Sequence, residues 1–91
     1  MFEYDPEKSA INLVKHGIDF EAAQALWEDN DRIDGPATSI NEARRMVIGL
    51  IDGRLWAAVV MDRDENVRII SVRRAREKEA MKYDSQNDFG N

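Results

Sequence analysis

Ser71, Arg73 and Arg74 lie within one run, Val67-Arg68-Ile69-Ile70-Ser71-Val72-Arg73-Arg74-Ala75-Arg76-Glu77-Lys78-Glu79, that reads as a strand passing directly into a helix. Guanidinium forks, a hydroxyl and the free N–H groups of a helix N-terminus are the donors that hold a phosphate. Between Arg68 and Lys82, six basic residues (Arg68, Arg73, Arg74, Arg76, Lys78, Lys82) meet two acidic ones (Glu77, Glu79), a local net of +4. The other seven basic and 16 acidic residues carry −9. Positive charge gathered at one junction of an acidic chain points to an anionic group. The plainer alternative is a set of solvated arginines pairing with Glu77 and Glu79, although two acids leave the excess unmatched. Alternation along the strand assigns Arg68, Ile70 and Val72 to one face and Ile69, Ser71 and Arg73 to the other.

Two further side chains bear on proton transfer. His16, the single histidine, falls at a helix C-terminus, where the dipole favours its charged form. It either caps that helix or does acid–base work with a carboxylate partner. Tyr83, on the last helix, donates a proton, stacks on a base, or closes the core. A two-histidine phosphodiesterase mechanism would need a dimer to supply the second ring. Asp29, Asp31 and Asp34 lack the Gly and Glu offsets of a calcium loop. The chain has no Gly-rich phosphate loop and no GxSxG elbow, so no metal or cofactor is expected. Trp27 and Trp56 read as core or interface anchors.

The elements that must position these residues follow from turn and cap signals. Phe2-Glu3-Tyr4 is a short strand. Asp5 caps a helix that starts at Pro6 and reaches His16, with Gly17 in the left-handed closing position. Ile11, Leu13 and Val14 are assigned inward, and Glu7, Lys8, Asn12 and Lys15 outward. Asp19 caps a second helix to about Glu28, with Phe20, Ala23, Leu26 and Trp27 at helical spacing. Residues 29–42 are polar loop, with room for a short strand at Arg32-Ile33-Asp34. Then comes a meander: Arg45–Ile51, a type I′ turn at Asp52-Gly53, Arg54–Met61, a longer turn over 62–66, and Val67–Val72. A closing helix over Arg74–Tyr83 and a frayed tail over 84–91 complete the chain. The expected fold is α+β: an N-terminal helix pair packed on an antiparallel β-meander, with a C-terminal helix.

With 91 residues and 43% of them hydrophobic, the chain makes one domain, 1–91, with a small core. The absence of cysteine removes disulfides, thiolate chemistry and the usual zinc sites, and fits a reducing cytosol. A net charge of −5 speaks against broad, non-specific nucleic-acid binding. A local phosphate site is still allowed, because salt screens charges beyond about 8 Å. No run approaches a membrane span, and the N-terminus has no signal-peptide pattern, so a cytoplasmic location is expected.

Phe2-Glu3-Tyr4-Asp5, Lys8, Asn12, Lys15-His16-Gly17-Ile18 and Phe20-Glu21-Ala22-Ala23 at one end, with Arg68-Ile69-Ile70-Ser71, Arg73-Arg74-Ala75, Glu79 and Tyr83 at the other, together resemble the BrnT family of bacterial toxins. The resemblance spans about residues 2–84. It implies a ribonuclease toxin of a type II toxin–antitoxin pair, RelE-like in fold, with RNA as substrate on the sheet face and no metal. It also implies a small DNA-binding antitoxin partner, BrnA-like, with a dimer conceivable inside that complex. Carried onto this sequence, Arg44, Arg73 and Arg74 hold or stabilise the scissile phosphate and Ser71 orients it, while His16, Glu42 or Tyr83 moves protons. Where the family usually has Glu-Arg before the meander, this chain has Ala43-Arg44, with the acid displaced to Glu42. Its last helix is also less basic than the family's. The alternative is therefore a catalytically weak or inactive module that binds an antitoxin.

Overall fold

A computed structural model of the chain describes residues 1–37 and 43–87. Helix α1 (Pro6–His16) begins as its caps require: Glu7 N–H donates to Asp5 Oδ1 at 2.9 Å, and Gly17, at φ 81°, donates to Leu13 O at 2.9 Å. Five strands, β1 (Phe2–Glu3), β2 (Ile33–Pro36), β3 (Arg44–Ile51), β4 (Arg54–Arg63) and β5 (Asn66–Arg74), form one sheet in the order β1-β5-β4-β3-β2. The closing helix α2 spans Glu77–Gln86.

The expected helix pair on an antiparallel, RelE-like meander is corrected on two counts. The segment after α1 is a 3₁₀ helix, Ala22–Glu28, not a second α-helix. Phe20, Ala23 and Leu26 repeat every three residues and are all buried, which suits three residues per turn better than 3.6. The sheet is also mixed, because β1 runs parallel to β5, pairing Phe2 with Val67 and Glu3 with Arg68. A two-residue strand whose partner lies far along the chain carries no local signal of its direction. With a mixed five-stranded sheet and a single α-helix before it, the layout is not clearly RelE-like.

The central strands are nonetheless antiparallel neighbours. Asp52 (φ 51°) and Gly53 (φ 79°) turn between the paired Ile51 and Arg54, both left-handed as a type I′ loop requires. The second turn is shorter than expected: Arg63 pairs with Asn66, leaving Asp64-Glu65 as the loop. At the far end β5 continues through Arg73 and Arg74, opposite Ala57 and Trp56. The last helix therefore starts at Glu77 rather than Arg74.

Most of the core lies on one face of the sheet. Ile18, Phe20, Ala23 and Leu26 pack against Val47, Ala58, Val60, Ile69 and Val72 there. Burying each of the large side chains contributes about 1.5–3 kcal/mol. On the other face a smaller cluster of Ile48, Ala57 and Tyr83 seats α2.

Helix α1 is turned the other way from its apolar pattern. Ile11, Leu13 and Val14 are exposed, Val14 by 89%, whereas Ser9 and Asn12 are buried. The cause is the short β1, which leaves the edge of β5 open beyond Arg68. Asn12 covers it: its Nδ2 donates to Val72 O at 2.9 Å and to Ile18 O at 2.7 Å, and its Oδ1 accepts from Val72 N–H at 3.2 Å. Ser9 Oγ accepts from Phe20 N–H at 2.9 Å. An amide offers both a donor and an acceptor to a strand edge, and no aliphatic side chain can do so.

Candidate functional site

A β-bulge decides what shares a face with Ser71. The β4–β5 register shifts between Val59 and Val60, so Ser71 faces Val59 while Ile69 faces Val60, with Ile70 as the extra residue. The alternation expected from sequence breaks there: Ile69 joins the core beside Val72, and Arg68 moves to the side of Ser71 and Arg73. The register then gives three rows on the face opposite the main core: Ile48, Ala57 and Arg73; Met46, Val59 and Ser71; Arg44, Met61 and Arg68. Helix α2 covers the first row. The other two are half-buried, a strip of aliphatic and methionine side chains edged by arginines.

Arg44 has a buried nitrogen with unmet hydrogen-bonding capacity. Its Nε is buried and has no hydrogen-bond partner among the described residues, a condition that costs about 1–3 kcal/mol or more for a charged group. Arg68 reaches Glu3 Oε1 at 3.5 Å. Arg73 is held in a bidentate pair, Nη1 to Glu79 Oε1 at 2.7 Å and Nη2 to Oε2 at 2.8 Å, and Nη1 also donates to Arg74 O at 3.2 Å. These bonds hold the Glu79 carboxyl below the usual carboxylate range, its hydrogen bonds from Arg73 outweighing burial. Glu79 Oε1 also accepts from Arg76 N–H at 2.8 Å, closing the first turn of α2.

Arg74 is not brought to this strip. As the neighbour of Arg73 in a strand it faces the other way, and its guanidinium lies 5.5 Å from the centre of the Trp56 ring. The expected cluster of Ser71, Arg73 and Arg74 at a helix N-terminus is therefore split by the extension of β5. His16 ends α1, which packs along the edge of β5. Glu42 lies outside the described residues.

Tyr83 is buried under α2, and its hydroxyl donates to Asp29 Oδ2 at 2.7 Å. Burial first, then the Asp29 carboxylate, push its ionisation well above the usual phenol range. The same Asp29 oxygen accepts from Leu50 N–H at 2.8 Å and covers the β3 edge beyond the end of β2. Gly49 permits this approach, since a Cβ there would meet Asp29 Oδ2 and Leu26 at 3.2 Å. Burial alone would raise the Asp29 pKa, but hydrogen bonds from Leu50, Tyr83 and Asp31 bring it below the ordinary value. Asp34 is engaged by Arg45, which also grips Asp62 through Nε at 2.9 Å and Nη2 at 3.0 Å. Among the described residues no group of three or more His, Asp or Glu side chains is placed to hold a metal ion.

A model of the family described as ribonuclease toxin, BrnT, of type II toxin–antitoxin system matches residues 4–79. The chain belongs to the BrnT family. No curated protein matches it. BrnT membership implies an RNA target and an antitoxin partner. The BrnT match contains Arg44, Ser71, Arg73 and Arg74, and ends before Tyr83 and the second half of α2. The pairing with Glu79 that the sequence offered as the plainer alternative is present for Arg73, as a half-buried bidentate pair; what sequence reasoning missed is Asp29 as the partner of Tyr83 and Asn12 as an edge cap. The Arg73–Glu79 spacing was visible, but the pairing depends on how far β5 extends.

Proposed function

We propose that this chain cleaves RNA with its own side chains and without a metal ion, on the strip that carries Arg44 and Ser71 and is bordered by Arg73. The observation that carries this reading is the Arg44 guanidinium, whose buried Nε has no partner among the described residues, on the same sheet face as Ser71 and, at the border of α2, Arg73. An RNA backbone laid across the strip brings a phosphate to that guanidinium. The adjacent 2′-OH attacks the phosphorus, and the 5′ oxygen of the next nucleotide leaves. Arg44 meets the charge that develops on the non-bridging oxygens, and Ser71 orients the group. Arg73 contributes through the N–H groups that Glu79 does not occupy. For proton transfer Glu42 is the favoured candidate, because it stands two residues before Arg44 in the chain, the Tyr83 hydroxyl is bonded to Asp29, and His16 ends the helix that lies along the β5 edge.

The test is cleavage of a defined RNA by the purified protein in EDTA, beside an Arg44→Ala/Arg73→Ala variant shown to be folded. Cutting by the wild type is expected, with a loss of about 100-fold or more in the variant, the usual effect of removing a charge-stabilising donor. A second reading, a weak or inactive module that binds an antitoxin, draws support from the Arg73–Glu79 pair, which neutralises one of the arginines. A folded wild type that cuts no RNA, with or without ribosomes, would favour it.

A further inference from the structure

A groove of about 770 Å³ runs between α2 and the β2–β3 side of the sheet. Its floor is aliphatic, made by Ile33, Pro36, Met46 and Ile48. Its α2 wall carries Arg76, Lys78 and Lys82. Of the acids that also line it, Glu79 is engaged by Arg73 and Asp34 by Arg45. Among the described residues three cations therefore face one uncommitted carboxylate, Glu77.

No aromatic ring lines the groove among the described residues, so it has no platform for stacking a base, the usual means of holding unpaired RNA. An aliphatic floor beside a cationic wall instead matches a protein segment with aliphatic side chains on one face and carboxylates along one edge. We propose that the groove is where the antitoxin docks, through such an amphipathic acidic segment. This rests on the toxin reading of the chain. It also supplies a means of neutralisation: a segment wedged against α2 fixes Glu79 on Arg73 and keeps that guanidinium from RNA.

The experiment uses the toxin with its own antitoxin, the partner that type II membership implies. Lys78→Glu/Lys82→Glu changes two exposed residues outside the proposed cleavage strip. Antitoxin affinity should fall about tenfold or more, as when paired charges are made to repel, while RNA cleavage by the free toxin is unchanged. In the wild-type complex the methyl NMR signals of Met46 and Ile48 should shift, and those of the exposed Ile11 and Val14 should not. A complex of unchanged affinity, with shifts confined to Ile11 and Val14, overturns the docking site and leaves the toxin reading standing. Lost RNA cleavage with antitoxin affinity kept assigns the groove to RNA and also overturns it. A folded toxin that neither binds the antitoxin nor arrests growth overturns the toxin reading itself.

Discussion

The two helices are held to the sheet by opposite kinds of chemistry. Helix α1 is seated by neutral, buried hydrogen bonds from Asn12 and Ser9, at the side of the large core. Helix α2 buries Tyr83 alone and is otherwise fixed by charge, Glu79 on Arg73 and the Tyr83 hydroxyl on Asp29. Neutral bonds in a dry interior are costly to break and indifferent to salt and anions. Contacts made by charged groups near the surface weaken with salt, acid and competing anions. The α1 side is thus held by contacts that carry no charge, and the α2 side, where the arginine strip lies, by contacts that depend on charge.

Asn12→Ala should have the largest effect. It strands Val72 N–H, Val72 O and Ile18 O together, a loss of about 2–4 kcal/mol out of a total near 5–15 kcal/mol, read by urea unfolding. Equal stability in Asn12→Ala and wild type would remove the contrast between the helices. Tyr83→Phe deletes one hydrogen bond at the α2 anchor and should lower stability by about 1–1.5 kcal/mol. Under the proposed assignment cleavage should survive, because the hydroxyl is bonded to Asp29. Glu79→Gln should cost about 1 kcal/mol or less and raise RNA affinity severalfold in a binding titration by releasing Arg73; a fall would show that Glu79 positions Arg73 for RNA instead.

Acid sharpens the comparison further. The Glu79 and Asp29 carboxyls are held below their ordinary values of 4.5 and 3.8. Their stabilisation is therefore complete above those values and lost as pH falls through the lower folded ones. Below about pH 4, amide exchange should quicken in α2 before α1, because the Asn12 and Ser9 contacts take up no proton.

What was legible in the sequence was punctuation. Asp5, Pro6 and Gly17 bound α1 at the residues expected, and Asp52-Gly53 sets the turn between β3 and β4. What was not legible was direction. Ile11 and Val14 carry a helical apolar spacing that the need to cover the β5 edge overrides through Asn12. The β1–β5 pairing joins residues at opposite ends of the chain, and the bulge at Ile70 moves Arg68 across the sheet without any glycine or proline to announce it. The charge excess near Arg73 was visible, yet which arginines share a face depended on that bulge and on the length of β5.

The most direct measurement sets Arg44→Ala beside Arg74→Ala in an RNA cleavage assay. Arg44 is on the open strip with an Nε that has no partner among the described residues, and Arg74 lies over Trp56 on the other face. Cleavage should fall about 100-fold in the first and stay near wild type in the second, with both variants folded. Equal activity in Arg44→Ala and wild type, or a loss confined to Arg74→Ala, would contradict the assignment of the strip as the site that meets RNA.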